Sequence, residues 1–439
     1  MIRVANGEPE QRIGRSDDYE LGRTAPTAVG LGSLSHAEPQ LRPTFAPAVY
    51  PNLSYIAHAL VGTPRDNALA AIQTFGLFLA LGTITAALFL RWDMRRRTAL
   101  GQFHPTTART TVGRGATATD YLGSALFGFL AGWKIVPLLF GVDGPVPDFL
   151  LSGQGNVAAG LVFAAAAAGY TYYQGQRERK AYPQGPREVE TVVQPWERTS
   201  DIAIIAALSG LVGAKVFGIL EVPPDSLAAF FRQFFSGQGL AIYGGLIAGF
   251  FGVWWYMRRH GLAFWPMADA IAPGMLIGVG VGRIGCQLSG DGDWGIDNPA
   301  PPPDGWFLPD WMWSMTYPHN VIRAGVPIPG CEVDYCTQLA VPVYPTPFYE
   351  VVMLIGLGLL LWSIRKWAGA WPGLLMGLYL VANGIERFLI EQIRVNAVYD
   401  FGAFQPTQAE IISVVSVGLG LALCAWTVRR GRRPYPVWV

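Results

Sequence analysis

The sequence predicts an all-α integral membrane protein, a polytopic bundle of about nine transmembrane helices. Charged residues make up only 14% of the 439 residues, whereas soluble domains usually carry about 25%. Hydrophobic residues reach 51%, and they gather in runs of roughly 20, the length that spans a bilayer core. The 32 basic and 31 acidic residues nearly cancel, which argues against nucleic acid as a partner.

The apolar runs can be placed individually, and the basic residues between them give an orientation. The runs lie near 68–90, 120–140, 156–174, 202–220, 240–257, 266–286, 347–364, 371–392 and 407–428. Basic clusters follow the first, third, fifth, seventh and ninth runs, so they fall on one side of the membrane. Because cytoplasmic loops carry the excess of lysine and arginine, we expect the N-terminus outside and the C-terminus inside.

These runs also divide the chain into segments. We expect a polar N-terminal extension that is disordered, a first group of spans with a charged cytoplasmic loop near 175–199, two groups of core spans, an extracytoplasmic cap between those groups, and a cytoplasmic tail. The extension is 1–60, and the first group of spans, with its loop, is 61–199. The core spans are 200–286 and 346–430, the cap between them is 287–345, and the tail is 431–439.

Charged side chains inside the predicted spans gather near the outer surface. Each costs at least about 2.5–3.5 kcal/mol in hydrocarbon, so such residues mark function. Arg283 lies near the outer end of the sixth span, while Arg387, Glu391 and Arg394 recur at spacings of four and three on one face of the eighth. Six further polar or charged residues are expected near the outer surface of the membrane: Lys134, Lys215, Tyr243, Tyr349, Glu350 and Asn383. Two other interpretations stay open: a structural Arg387–Glu391 ion pair, and lysines that snorkel to the interface.

Two arginines at one depth favour a particular chemistry. Guanidinium groups offer rigid pairs of N–H donors that match phosphate oxygens, and a phospholipid head group is the obvious phosphate at an outer interface. A site that stabilises a departing phosphate promotes attack on the adjacent glycerol carbon. The residues therefore favour a lipid transferase over a transporter or flippase, which would spread its charges through the membrane.

Other patterns in the sequence do not indicate a cofactor or a metal. The G-x-G-x-x-G pattern at 280–285 lies inside an apolar span rather than between a strand and a helix, so it does not predict a dinucleotide site. The aspartates within 291–297 do not continue into the ligand pattern of a calcium loop. Cys331 and Cys336 share the outer segment, where an oxidising compartment would permit a disulfide.

Five motifs in a fixed order resemble those of one known family, the bacterial prolipoprotein diacylglyceryl transferases. They are GLVGAKVFGILE at 210–221, IYGGLIAG at 242–249, GRIGCQLSGDGDWG at 282–295, YPTPFYE at 344–350 and ERFLIEQIR at 386–394. Together they cover about 200–415, roughly half of the chain. The resemblance implies transfer of the diacylglyceryl group of phosphatidylglycerol to the thiol of a lipobox cysteine in a prolipoprotein signal peptide. Glycerol phosphate would be released, and the enzyme would lie in the inner membrane among its lipids.

The resemblance, with the intramembrane charges, assigns the site residues. The candidate catalytic residues are Arg283, Arg387, Tyr243, Asp291 and Glu350. The candidate substrate-binding residues are Arg283, Arg387, Glu391, Arg394, Tyr349, Gly244, Gly245, Gly290, Gly295, Lys215 and Asn383. No histidine lies in the outer half of a span, so the proton acceptor stays open between Tyr243, Asp291 and Glu350.

The sequence also departs from the family pattern. Cys286 and Ser289 replace two asparagines of the signature, Lys215 replaces an arginine, and one residue is inserted before Gly295. The region 100–199 has no counterpart in the resemblance, so we expect about two inserted helices there. Because of these departures, a catalytically inactive relative that binds lipid or lipoprotein precursors stays an alternative.

Overall fold

The computed structural model describes residues 49–65, 67–140, 154–235, 241–395, 399 and 405–431. The helices are α1 Leu53–Val61, α2 Thr74–Ala99, α3 Ala118–Phe140, α4 Val157–Ala181, α5 Thr199–Glu221, α6 Leu227–Phe235, α7 Ile242–Arg259, α8 Phe264–Ser289, α9 Thr346–Ala368, α10 Leu374–Glu391 and α11 Gln408–Arg429. The strands are β1 Thr106–Val112, β2 Arg187–Val193, β3 Val326–Pro327 and β4 Thr337–Gln338. Most of the predicted N-terminal extension (1–48) and of the predicted tail (432–439) lie outside the described residues.

The protein is mainly helical, with little sheet. Five of the helices in the described ranges are long and apolar enough to cross a membrane: α2, α5 with the short turn before it, α8, α9 and α11. The chain is thus a multi-pass membrane protein. The first predicted run begins too early, because 68–71 form a 3-10 turn and α2 begins only at Thr74.

Helix α8 is the centre of the bundle, and it packs against α2, α9 and α10. Two thirds of its apolar window is buried, whereas most of α2 and α11 faces outward. Small residues permit the close crossing with α2, since a Cβ on Gly278 would lie 2.7 Å from the Gly82 carbonyl oxygen. Because α8 is surrounded by other helices, the side chains on its last turns are held in fixed positions.

The region 100–199 forms more structure than the predicted loop. Helices α3 and α4 pack on each other, and the antiparallel strands β1 and β2 pair from Thr106↔Val193 to Val112↔Arg187. The expected cytoplasmic loop at 175–199 therefore contains the end of α4, strand β2 and the turn that leads into α5. The β-branched threonines and valines of the two strands suit such a ladder.

The stretch between α8 and α9, here called the 290–345 segment, is compact. Strands β3 and β4 pair, and a disulfide joins Cys331 and Cys336. Its small apolar core contains Met315, Tyr317 and Val343, together with Val49 from the N-terminal side. Val49 and Tyr55 thus pack on this segment instead of forming part of a disordered extension, since the Tyr55 hydroxyl donates to the Asp334 carbonyl. The Tyr50 N–H donates to the Leu288 carbonyl at the end of α8, at 2.6 Å.

Candidate active site

Helices α8, α9 and α10 bring three arginines and a carboxylate together at one end of the bundle. Because α8 and α9 are antiparallel, the last turns of α8, with Arg283, meet the first turn of α9, with Glu350. Arg387 lies near the end of α10, and Arg394 follows shortly after it. We use the name Glu350 cluster for these four residues with Asp293 and Glu391. Five of these six residues were predicted as catalytic or binding residues, and Asp293 is the one that was not.

Glu350 is the centre of this cluster and is only 2% exposed. Its Oε2 lies 2.7 Å from Arg283 Nε, and its Oε1 lies 3.3 Å from Arg387 Nη1 and 3.5 Å from Arg394 Nη1. An unpaired buried carboxylate would be costly, and pairing with several guanidinium groups offsets that cost. One side chain thereby fixes the positions of three cations.

Asp293, rather than the predicted Asp291, is the second carboxylate that joins the arginines. Arg283 Nη1 pairs with one of its oxygens, and Arg394 Nη2 lies 2.7 Å from the other. Burial alone would raise the pKa of Asp293, but the guanidinium groups of Arg283 and Arg394 outweigh it and hold the pKa below its usual range. This site residue was missed because the residue inserted before Gly295 leaves the acid's place between the signature glycines ambiguous.

Asp291 lies beside the thiol of Cys286, with which it shares a hydrogen bond, and it accepts the Asp293 N–H at 3.3 Å. Burial raises the pKa of its carboxyl, and the nearby charge of Asp293 raises it further. A carboxylate in such surroundings takes up a proton more readily than one in water. Asp291 is close enough to Arg283 for its charge to act on it, but none of the described ion pairs includes Asp291.

An ion pair between Arg387 and Glu391, both on α10, completes the cluster. Arg387 Nη2 lies 2.9 Å from Glu391 Oε2, one turn along the helix, as the spacing of four predicts. Three arginines thus face three carboxylates. The Arg387 and Arg283 side chains are 28% and 23% exposed and Arg394 only 11%. The first two guanidinium groups are therefore the ones that an incoming anion reaches.

The predicted polar residues around the cluster have different surroundings. Tyr243, at the start of α7, is 38% exposed and close enough to Arg387 and Glu391 for their charges to act on it. Tyr349 donates its hydroxyl to the Met312 carbonyl at 2.7 Å, and so fastens α9 to the 290–345 segment. Asn383 is half-buried on α10, one turn before Arg387.

Two of the predicted glycines shape the backbone next to the arginines. Gly290 ends α8 in the left-handed conformation, with φ of 62°. Gly295 donates its N–H to the Tyr344 carbonyl at 2.9 Å, and a Cβ there would lie 2.4 Å from the Ile393 carbonyl oxygen. Only a glycine lets the 290–345 segment approach the end of α10 so closely, which places Asp293 within reach of Arg394.

Three other predicted residues lie at helix contacts instead. A Cβ on Gly244 would lie 2.5 Å from the Gly213 carbonyl oxygen, and one on Gly245 would lie 3.2 Å from the Gly210 carbonyl oxygen, so both glycines serve the crossing of α7 with α5. Lys215, on α5, has its Nζ 3.4 Å from the Gln233 carbonyl oxygen of α6. Among the described ion pairs, none joins Lys215 to the Glu350 cluster.

Glu386 is a further buried carboxylate that the sequence interpretation left out. It is next to Arg387 on α10, and its Oε1 has no hydrogen-bond partner among the described residues. The rule that flagged the other intramembrane charges applies to it equally. Its sequence signal was therefore present.

A metal does not suit the one group of possible ligands found in the described residues. Ligand atoms of Cys286, Asp291 and Asp293 lie within 4.8 Å of one another. Both oxygens of Asp293, however, already face the guanidinium groups of Arg283 and Arg394. These cations would repel a metal ion, and their exposed N–H donors suit an anion instead.

A cavity of about 330 Å³ lies beside Arg394. Its lining includes Trp294, Gly295 and Asp297 of the 290–345 segment together with Arg394 and Val395 at the end of α10. One member of the Glu350 cluster thus faces open space on the side of this segment.

The chain matches one family of known proteins over more than half of its length. Residues 158–426 match the family model described as prolipoprotein diacylglyceryl transferase. Phosphatidylglycerol–prolipoprotein diacylglyceryl transferases of Pseudomonas aeruginosa and Vibrio vulnificus are each 28% identical, over 239 and 243 residues. These matches cover 53% and 54% of this chain and 78% and 77% of the relatives. The protein of the same name from Cutibacterium acnes is 26% identical over 257 residues, 57% of this chain and 78% of its own.

The family match begins earlier than the motifs predict. It starts at residue 158, at the beginning of α4, so the expectation that all of 100–199 lacks a counterpart is wrong for its second half. Helix α2 precedes the matched range, yet it packs against α8, which carries Arg283.

Proposed function

The chain belongs to the prolipoprotein diacylglyceryl transferase family, and we propose that the Glu350 cluster is its active site. The protein is a transferase that moves the diacylglyceryl group of phosphatidylglycerol to prolipoproteins, a step in lipoprotein maturation. The observation that supports the site most strongly is the meeting of three arginines around one buried carboxylate at one end of the bundle. These residues come from three separate sequence motifs.

The proposal extends to the arrangement in the membrane. The nine long helices that contain the apolar runs are taken as nine spans of the bacterial inner membrane, with the N-terminus outside and the C-terminus inside. The 290–345 segment then forms an extracytoplasmic cap above the Glu350 cluster, which lies toward the outer leaflet. The Cys331–Cys336 disulfide supports this side for the segment, since disulfides persist in oxidising compartments.

The proposed reaction is an S-alkylation. The cysteine thiolate of the lipobox attacks the glycerol carbon next to the phosphate, a C–S bond forms, and the C–O bond to the phosphate breaks. The electron pair of that bond leaves with the phosphate oxygen, and glycerol phosphate is released together with the proton of the thiol. Arg283 and Arg387 hold the phosphate and stabilise the charge that develops on it as it departs.

The other members of the cluster position these two arginines. Glu350 binds both guanidinium groups from one side and leaves N–H donors free to turn toward the lipid. Asp293 and Arg394 link α8 to the end of α10, so that the two cations keep their separation. A bidentate fork held in this way matches a phosphate better than a mobile point charge would.

The thiol needs help to ionise, because a free cysteine has a pKa near 8.5. The thiolate is favoured where it lies beside the partly exposed guanidinium groups of Arg283 and Arg387. Tyr243, exposed beside Arg387, is the proposed group that orients the thiol or passes on its proton. Asp291 is the alternative acceptor, since burial has raised the pKa of its carboxyl, whereas Glu350 is engaged by three arginines.

The prolipoprotein is proposed to approach through the cavity beside Arg394, under the cap. Its cysteine would then reach the arginines from the watery side, while the acyl chains of phosphatidylglycerol stay in the membrane. Displacement at carbon requires the thiol to approach the glycerol carbon from the side opposite the C–O bond that breaks, so the thiol and the departing phosphate lie on opposite sides of that carbon.

A transfer assay tests the function. The purified protein is mixed in detergent with phosphatidylglycerol and a lipobox peptide that has one cysteine, and with the same peptide carrying alanine. A mass gain of one diacylglyceryl unit on the cysteine peptide alone is expected. No gain from folded protein, with an active relative working alongside, would overturn the proposal and indicate a binding role.

A further inference from the structure

A second group of buried charges lies at the other end of the bundle, far from the Glu350 cluster. It consists of Asp93, Arg96 and Arg97 at the end of α2 and Arg365 near the end of α9, and we call it the Asp93 cluster. Asp269, near the start of α8, marks this end, and Arg283 marks the other. Arg283 is 14 positions after Asp269, which corresponds to about 21 Å of helix.

In the Asp93 cluster three arginines share one carboxylate. Asp93 Oδ1 lies 2.7 Å from Arg96 Nε and 3.6 Å from Arg365 Nε, and Asp93 Oδ2 lies 2.5 Å from Arg97 Nε. Arg97 Nη1 also donates to Gln102 Oε1 at 2.8 Å. Asp93 and Arg97 are both almost wholly buried.

The other buried carboxylate at this end does not supply the missing acceptors. Asp269 accepts the N–H groups of Gly373 and Met376, at 2.8 and 3.0 Å, and so caps the start of α10 with both of its oxygens. Its charge helps to balance the arginines, but none of the described hydrogen bonds joins it to them. Even with both carboxylates ionised, the three arginines leave one positive charge in excess.

Three guanidinium nitrogens of this cluster are buried and make no hydrogen bond within the described residues. They are Arg96 Nη2, Arg97 Nη2 and Arg365 Nε, and the last is 3.6 Å from Asp93 Oδ1, too far for a hydrogen bond. A buried donor that makes no hydrogen bond costs about 1–3 kcal/mol, and more when it is charged. Three such groups around a net positive charge fit an anion with several oxygens. Arg96 and Arg365, whose side chains are about a fifth exposed, lie on the open side of the cluster.

Aromatic side chains show where this open side lies. Trp362 stacks under the Arg365 guanidinium, 3.6 Å from its ring centre, and packs edge-on to Phe89 at 4.8 Å. Phe89 in turn packs on Trp92, which is half exposed. Exposed tryptophans and buried stems of arginine are typical of the layer where lipid head groups meet water. The phosphate groups of phospholipids lie in that same layer.

We propose that the Asp93 cluster is a second phosphate-binding site, which takes the head-group phosphate of an anionic phospholipid in the leaflet opposite the Glu350 cluster. The phosphate accepts N–H groups from Arg96 and Arg365, and the acyl chains lie against Phe89 and Trp92. Bound there, the lipid ties the end of α2 to the end of α9. The same phosphate chemistry would also suit free inorganic phosphate. This proposal does not depend on the transferase reaction.

Counting the bound lipid by native mass spectrometry tests the proposal. The probe is phosphatidic acid, which carries a phosphate but no glycerol head group, and phosphatidylcholine is the neutral comparison. The wild type is expected to retain phosphatidic acid at both clusters. The Arg96→Gln/Arg365→Gln variant should lose one retained lipid and bind at that site about tenfold more weakly. The matched control is Arg258→Gln, an arginine at the same end that stacks on Trp254.

The arms of the experiment separate the sources of the phosphate. Thermal stabilisation by phosphatidic acid, present in the wild type and reduced in the double variant, identifies a lipid site. Stabilisation by inorganic phosphate that is likewise reduced identifies a site for the free anion. If the double variant equals the wild type and the Arg258→Gln control in lipid count and in both arms, the proposal is overturned. Arg96→Gln alone replaces the double variant if the latter does not fold, and transferase activity reports its folding.

Discussion

At the scale of single residues, the site depends on what each carboxylate faces. Glu350 and Asp293 each bind two or more guanidinium groups, while Asp291, two positions before Asp293, faces a thiol in a buried position. Two aspartates in one short loop therefore have opposite electrostatic surroundings. Their effects on stability should be opposite as well.

The pair Asp291→Asn and Asp293→Asn tests this contrast. The raised pKa of Asp291, due first to burial, means that its ionisation above the usual aspartate pKa destabilises the folded state. Asp291→Asn should therefore raise the melting temperature at neutral pH, and this gain should vanish as the pH falls below about 4. The arginines lower the pKa of Asp293, so its stabilising effect is present at neutral pH and is lost as the pH falls through the lowered pKa.

Asp293→Asn should thus lower the melting temperature at neutral pH, by a few degrees at most because the carboxylate is partly exposed. Melting curves of both variants between pH 3 and 8 measure the effect. Shifts of the same sign at neutral pH would show that the two aspartates do not differ as described.

The role of Tyr243 can be tested through the reaction. If its hydroxyl orients the thiol or passes on its proton, Tyr243→Phe should lower the rate of transfer by about 10²–10⁴-fold, the range for general acid–base groups. Phosphatidylglycerol binding should change little, because the arginines remain. Full transfer activity of Tyr243→Phe would remove tyrosine from this role and leave Asp291 as the acceptor.

At the scale of elements, close helix crossings decide where the motif residues lie. Gly244 and Gly245 come from a family motif, yet their backbone contacts Gly213 and Gly210 of α5. A Cβ on Gly213 would lie 2.2 Å from the Ala248 side chain and 2.4 Å from the Gly244 carbonyl oxygen. On Gly210, one turn away, it would lie 3.4 Å from the nearest atom, an ordinary contact.

Gly213→Ala should therefore separate α5 from α7 and destabilise the protein, while Gly210→Ala serves as its matched control. The expected loss for Gly213→Ala is about 1–3 kcal/mol, as for other overpacked sites. Thermal unfolding of the two variants in the same detergent measures it. Equal melting temperatures would contradict the close crossing of these two helices.

The long helices could be predicted from the sequence because each apolar run is long enough to cross the membrane as a helix. The strands and α1 could not, because they depend on contacts between residues distant along the chain. The ladder of β1 and β2 joins residues about 80 apart, and α1 is held by the 290–345 segment. In the site, intramembrane charge pointed to Arg283, Arg387 and Glu350. The choice of Asp293 over Asp291 could not be predicted, because an inserted residue hides which aspartate reaches Arg394.

At the scale of the whole molecule, the bundle holds two clusters of charged residues at opposite ends of the same helices. Helix α9 begins with Glu350 at one end and carries Arg365 at the other, and α2 and α8 run between the same two levels. A protein built in this way can hold a reactive site in one leaflet and be anchored in the other. Its orientation in the membrane is then a central part of the proposed function.

Thiol labelling in cells tests that orientation. After mild reduction, a membrane-impermeant maleimide added to spheroplasts should label Cys331 or Cys336 in the 290–345 segment. A cysteine introduced by Gln184→Cys, in the turn between α4 and β2, should be labelled only after the membrane is made permeable. The reverse pattern would contradict the orientation and would put the Glu350 cluster at the inner leaflet.

The claim that the Glu350 cluster performs the transfer is tested most directly by Arg387→Lys in the peptide assay. A lysine keeps the positive charge but loses the two-pronged donor geometry, so we expect transfer to fall by about a hundredfold or more. Arg258→Lys, at the other end of the bundle, should leave the rate unchanged. Near-normal transfer by Arg387→Lys would contradict the assignment of the departing phosphate to these arginines.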